Sequence, residues 1–103
     1  MIPLRVTPEQ LLEQIPTMEG RRFVRAARLR GLEIEFYSPE DRDLQTPHDR
    51  DEFYVVQAGS GTFLNATDRM PFKAGDLLFV EKGVPHRFED FTPDFATWVI
   101  FLD

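Results

Sequence analysis

The sequence has no cysteine among its 103 residues. This excludes disulfides, thiolate metal sites and cysteine nucleophiles, and it fits a reducing compartment. No segment approaches the roughly 20 apolar residues that a membrane-spanning helix requires, and no apolar signal-peptide segment follows the N-terminus. We therefore expect one cytoplasmic domain, residues 1–103, without a membrane partner.

Basic residues are fewer than acidic ones, 12 against 18, and the formal net charge is −6. Such a chain is a poor partner for nucleic acids and anionic lipids. The exception is segment 21–30, which contains five arginines. On a strand, these arginines most simply face solvent or pair with the excess carboxylates. We expect a small molecule as the ligand, and no nucleic acid.

One short helix and about eight strands are expected. Thr7 can cap a helix that begins at Pro8, Gln10 completes a capping box, and the helix extends to about residue 15. Short apolar or alternating segments between glycine and proline turns predict strands over residues 22–30, 32–37, 52–57, 62–65, 70–73, 77–80, 86–89 and 95–102. Strands without alternating helices favour an all-β sandwich or barrel with its core at about residues 20–102.

The only two histidines each lie close to the start of a predicted strand. His48 precedes Glu52 by four residues, and His86 follows a glycine–valine–proline turn. Two imidazoles and a carboxylate can bind one divalent ion if they converge at about 2 Å from it. A straight strand would separate residues 48 and 52 by about 13 Å, so we expect residues 48–51 to form a loop or bulge. We predict His48, Glu52 and His86 as metal ligands, with Tyr54 on the same inward face as Glu52.

Residues 44–92 resemble the two sequence motifs of the cupin family. In the first motif, His48 matches the second histidine, Glu52 the glutamate and Gly59 the glycine. Thr46 stands where the first histidine of that motif would be. The resemblance implies an antiparallel jelly-roll β-barrel with the metal site inside it.

The second motif is matched by Gly75, Gly83 and His86, while Glu81 replaces its proline. Small single-domain members of the family are commonly dimers, and this implies a homodimer. The strand face formed by residues 53, 55 and 57 is unusually apolar. It is either the dimer face or the inner layer of a second packed sheet.

With Thr46 in place of a histidine, the remaining ligands resemble the facial triad of non-haem Fe(II) oxygenases. Asp49 or Asp51 are candidates for a fourth ligand, and Thr46 for a weak one through water. The implied cofactor is one divalent metal ion. Fe(II) is favoured, and zinc, manganese or nickel remain open, since this donor set does not separate them.

Three functions follow from these residues and the resemblance. The first is an Fe(II) dioxygenase acting on a small molecule, and the second is a zinc-, manganese- or nickel-dependent isomerase, lyase or hydrolase. The third is a cupin without catalysis that binds a small ligand or has a structural role. For an enzyme, Tyr54 is the candidate proton donor, and Arg25 is a candidate for binding a substrate carboxylate. The candidate pocket walls are Tyr54, Phe88 and Trp98.

Overall fold

The computed structural model describes residues 4–102, which form one short helix and eight strands. The elements are α1 (Pro8–Leu12), β1 (Phe23–Leu29), β2 (Leu32–Tyr37), β3 (Glu52–Ala58), β4 (Ser60–Asn65), β5 (Asp68–Lys73), β6 (Leu77–Val80), β7 (His86–Glu89) and β8 (Ala96–Leu102). Every predicted strand is present, with each end within two residues of its expected position. Within the described part of the chain, no helix is long and apolar enough to cross a membrane.

The strands form two antiparallel sheets. The larger has the order β1-β2-β8-β3-β6 and the smaller has the order β5-β4-β7. The all-β antiparallel class is therefore confirmed, but backbone ladders do not close these two sheets into the predicted barrel. A side chain connects β4 of the smaller sheet with β6 of the larger one. The Asn65 side-chain amide donates a hydrogen bond to the Phe79 carbonyl at 3.1 Å. The jelly-roll topology stays a prediction.

Aromatic rings fill the space between the two sheets. Phe88 of β7 lies at the centre, with its ring centroid 4.7–5.3 Å from the rings of Tyr54, Phe63, Phe72 and Phe95. All five of these side chains are buried. Edge-on and tilted contacts between rings add to the free energy of apolar burial. Many of the ten phenylalanines of the chain therefore serve this core.

Helix α1 covers part of the outer face of the larger sheet. The capping box forms as predicted, since Thr7 and Gln10 exchange side-chain and backbone hydrogen bonds. The helix ends at Leu12, earlier than the predicted residue 15. After Leu12 the chain tightens, because the backbone N–H groups of Gln14 and Ile15 donate to carbonyls three residues earlier. Pro16 then disfavours helical conformation at the residue before it. Leu11 anchors the helix against Phe36 and its neighbours in the sheet.

Strand β2 places its acidic face inside the molecule. Phe36 points outward, where α1 covers it and leaves it 0% exposed. Glu35 and Tyr37 therefore turn toward the space between the sheets, where they line one cavity. Alternating apolar and acidic residues predict a half-buried strand but not which face is interior. The helix favours this arrangement because Leu11 packs in one cluster with Phe36 and helps to bury it.

An apolar row crosses the outer face of the larger sheet. Ile34, Ile100, Phe53 and Phe79 lie opposite one another across β2, β8, β3 and β6. Phe79 remains 41% exposed and Leu77 65% exposed. The face of Phe53 points away from the smaller sheet, which packs on the opposite side with Tyr54. It is therefore not the inner layer of a second packed sheet, and the homodimer stays a prediction.

If this outer face forms a dimer, Phe79→Lys is expected to yield a monomer, because lysine would place an unpaired charge in an apolar interface. Sedimentation equilibrium measures the mass directly. Met70→Lys is the matched control, since Met70 is 43% exposed but lies in the smaller sheet. A wild-type protein that is monomeric at all concentrations would contradict the prediction.

Candidate metal centre

The turn before β7 fixes the tautomer of His86. Its Nδ1 lies 2.9 Å from the carbonyl oxygen of Val84. A carbonyl only accepts, so Nδ1 carries the hydrogen and Nε2 of the neutral ring presents a lone pair. The Nε2 atom lies 2.9 Å from Glu52 Oε1 and 3.0 Å from the hydroxyl oxygen of Tyr54.

Glu52 is a buried carboxylate beside His86. It is the first residue of β3 and is 1% exposed. Although Oε1 lies close to His86 Nε2, the contact lacks hydrogen-bond geometry, and neither carboxylate oxygen has a partner among residues 4–102. An uncompensated buried charge costs several kcal/mol. The position therefore calls for a positive charge next to Glu52.

His48 approaches from the loop between β2 and β3. Its ring packs edge-on against Phe101 at 4.9 Å and lies 6.0 Å from the ring of His86. Its backbone carbonyl accepts the Gly83 N–H at 2.6 Å, which links this loop to the turn before His86. The loop solves the spacing problem posed by the sequence, because one ligand atom from each of His48, Glu52 and His86 lies within 4.8 Å of the others.

The three residues fit a divalent ion. Two ligands at about 2.1 Å from an ion are about 3.0 Å apart at right angles and about 3.4 Å apart at the tetrahedral angle that zinc prefers. The 2.9 Å between His86 Nε2 and Glu52 Oε1 matches the first of these separations. Two imidazoles and one carboxylate suit Fe(II), zinc, manganese and nickel alike.

A proton on His86 is the alternative source of positive charge. Burial lowers the pKa of His86, but the Glu52 carboxylate and the Val84 carbonyl raise it, and the resulting pKa lies above the ordinary value. The proton and a metal ion compete for the same Nε2 lone pair. Burial, followed by the charges of Glu52 and Asp43, raises the pKa of Tyr54 well above its usual range.

The other suggested ligands lie elsewhere. Thr46 and Asp49 are exposed, and the Asp51 carboxylate accepts the backbone N–H of Lys82 at 2.9 Å. Among the described residues, neither aspartate belongs to the cluster around His86.

The suggested pocket residues are also separated. Phe88 is a core residue beside Tyr54. Trp98 lies on the outer face of the sheet, edge-on to Phe36 at 5.0 Å, so the structure does not bring it to the metal ligands. Counting along β8 alone could not separate its two faces, because both are apolar. Arg25 is paired with Glu33 at 2.9 Å.

A cavity of about 160 Å³ adjoins His48. Its lining residues are Phe23, Glu35, Tyr37, Gln45, His48, Arg50, Val99 and Phe101. It is smaller than the roughly 300–1,000 Å³ of a drug-sized pocket. The arrangement therefore suits a small ligand with polar groups.

Glu35 is a polar group of the cavity that sequence reasoning missed. Burial raises its pKa, and the nearby Glu33 and Glu52 carboxylates add to this, whereas Arg50 and Arg25 oppose it. A carboxyl group with a raised pKa in a cleft is a candidate for exchanging a proton with a substrate. The alternation along β2 was the available signal, but the sequence did not reveal that the acidic face is interior.

Arg50 was also missed as a cavity residue. Its guanidinium lies over the Phe101 ring at 4.4 Å and donates to Glu33 at 3.1 Å. The hydrogen bond from Arg50, together with the charges of Arg25 and Arg28, holds the pKa of Glu33 below its ordinary value. These contacts fix a cationic side chain at the cavity wall. Arg25 and Arg28 also pair with Glu33, in line with the expectation that arginines of segment 21–30 pair with carboxylates.

Comparison with known proteins agrees with this architecture. The cupin domain model, Cupin_2, matches residues 34–100, most of the chain. The chain belongs to the cupin family. An uncharacterized protein of Streptomyces coelicolor is 26% identical to this cupin over 81 residues, which cover 77% of each chain.

Solved structures share the fold at low sequence identity. A cupin 2 conserved barrel domain protein from Salinispora arenicola has a TM-score of 0.72 at 17% identity, covering 100% of this chain and 90% of that one. The protein KdgF from Halomonas has a TM-score of 0.67 at 16% identity, covering 78% and 76%. A nucleoside dehydratase has a TM-score of 0.63 at 18% identity, covering 78% and 67%.

Replacing Gly83 by valine is expected to destabilise the turn that carries His86. Gly83 has φ +76° and open space around an added Cβ, so the cost is backbone strain of about 1–3 kcal/mol. The melting temperature should fall by several degrees. Lys82→Val in the same turn is the control, since Lys82 has no positive φ. An equal melting temperature for the two variants would contradict the conclusion that the positive φ of Gly83 makes a side chain at this position destabilising.

Proposed function

We propose that this cupin is a metal-dependent enzyme acting on a small polar molecule. The observation that carries the proposal is the buried Glu52 carboxylate, which makes no hydrogen bond of good geometry with residues 4–102 and lies 2.9 Å from Nε2 of His86. A divalent ion between these groups and His48 would satisfy all three. The cavity beside His48, whose walls combine apolar rings with the polar groups of Glu35 and Arg50, then offers a place for the substrate.

The bound ion would supply Lewis-acid chemistry or, as iron, redox chemistry with O₂. The protein residues would orient the substrate and restrict water. Arg50 offers a fixed cation to an anionic substrate group, while Phe101 and Val99 provide apolar walls. Glu35 can hold or release a proton at its carboxyl oxygen on the same cavity.

Two classes of chemistry are supported by different features. The two-histidine, one-carboxylate set resembles that of Fe(II) oxygenases and favours a dioxygenase. Glu35 favours an isomerase or lyase, because these reactions require a protein group that moves a proton. A nucleoside dehydratase among the proteins of similar fold is consistent with the second class. The position of Glu35 leads us to favour the isomerase or lyase.

His48→Ala is expected to remove stoichiometric metal with little change in melting temperature, because His48 lies half-buried in a loop. Elemental analysis after loading with Fe(II) or Zn²⁺ measures the occupancy. Asp49→Ala is the matched control, since Asp49 is the adjacent exposed carboxylate and should leave the metal content unchanged. If wild-type protein takes up neither ion, the proposed metal-dependent enzyme is excluded. The remaining function is then that of a cupin that binds a ligand or has a structural role.

Glu35→Gln is expected to reduce kcat by about 100-fold or more while the metal content stays unchanged, because glutamine cannot transfer a proton. The assay screens small sugars and hydroxy acids with Zn²⁺-loaded protein without oxygen and with Fe(II)-loaded protein in air. As a base, Glu35 would give a rate that rises with pH through its raised pKa, and the glutamine variant should lose this dependence. Turnover only with Fe(II) and O₂, insensitive to the Glu35 change, would instead support the dioxygenase.

A further inference from the structure

We propose that Tyr54 supplies a fourth protein ligand to the ion through its hydroxyl oxygen. This inference rests on the proposed metal site formed by His48, Glu52 and His86. It provides the donor that is missing where Thr46 stands at the first histidine position of the motif.

The position of the hydroxyl group is the first argument. The Tyr54 oxygen lies 3.0 Å from His86 Nε2, about the same separation as the 2.9 Å between Nε2 and Glu52 Oε1. These two distances match neighbouring ligands at right angles around one ion, which are about 3.0 Å apart. The Tyr54 oxygen and Glu52 Oε1 therefore lie at nearly the same distance from His86 Nε2.

The direction of the Tyr54 proton is the second argument. The Gln45 side-chain NH₂ donates to Asp43 Oδ2 at 2.7 Å, so the Gln45 carbonyl oxygen faces Tyr54 at 3.1 Å. An amide oxygen only accepts, so in this contact the Tyr54 hydroxyl donates its proton to Gln45. The remaining lone pairs of the hydroxyl oxygen are then available on the side of His86.

The orientation of Gln45 is itself fixed. Asp43 accepts four hydrogen bonds of 2.6–3.0 Å, from the Tyr37 hydroxyl, the Phe88 backbone, and the backbone and side chain of Gln45. Turning the Gln45 amide over would bring its oxygen against the Asp43 carboxylate. The direction of the Tyr54 proton is thus determined from outside the metal site.

Three atoms with lone pairs consequently face one another: His86 Nε2, Glu52 Oε1 and the Tyr54 oxygen. If Tyr54 instead donated to His86 or to the neighbouring Glu52 carboxylate, the Gln45 oxygen would lose its donor. The phenol ring has little freedom to avoid the ion, because it is 0% exposed and packs against Phe63 and Phe88. An ion bound by His86 would therefore meet the Tyr54 oxygen.

Ferric iron provides a direct test. Fe(III) is acidic enough to displace the proton of a phenol that it binds, releasing it to solvent, and the iron–phenolate bond produces a visible charge-transfer absorption. A phenol hydrogen-bonded near the ion produces none. The protein has only two tyrosines, so Tyr54→Phe has a matched control in Tyr37→Phe, whose hydroxyl donates to Asp43.

We expect the absorption in Fe(III)-loaded wild type and Tyr37→Phe, and not in Tyr54→Phe. We also expect Tyr54→Phe to weaken Zn²⁺ binding by about tenfold or more in chelator competition. Wild-type protein that holds Fe(III) at the site without the absorption would overturn the Tyr54 assignment and leave the metal site intact. Wild-type protein that binds neither Fe(III) nor Zn²⁺ would overturn both proposals.

Discussion

A buried carboxylate beside an unprotonated imidazole nitrogen is unstable unless a positive charge lies between them. Glu52 and His86 are held in this relation by strands β3 and β7, which the aromatic core joins. Desolvation prevents water from hydrating Glu52, so only a cation or a proton can balance it. The remaining features of the site determine where that charge sits and which groups surround it.

Backbone and loop contacts set the orientation of each group around the charge. The Val84 carbonyl determines which nitrogen of His86 carries the hydrogen, and the Gly83 amide holds the loop that bears His48. Asp43 orients Gln45 and, through it, the Tyr54 hydroxyl. In the proposed metal site, these partners would orient the donor atoms without being ligands themselves, as hydrogen bonds behind metal ligands commonly do.

The sequence predicted the strands and the clustering of His48, Glu52 and His86, because turn residues and motif spacing are local signals. It did not predict which side of β2 or β8 is interior. Both choices depend on helix α1, which covers Phe36 and the neighbouring Trp98. Side-chain alternation defines two faces of a strand, but only tertiary packing decides which one is buried. Glu35 was missed, and Trp98 was expected in the pocket, for this single reason.

The inward acidic face of β2 bears on the proposed function. Glu52, Tyr54 and His86 are 0–6% exposed and come from strands, so they define the buried side of the site. His48 is the only one of the predicted ligands that lines the cavity shared with Glu35 and Arg50. A substrate in that cavity would approach the ion from the side of His48, opposite the core. The charged and proton-exchanging groups of the substrate would then contact β2 and the loop before β3. The fold places polar side chains there, which a closed apolar core would exclude.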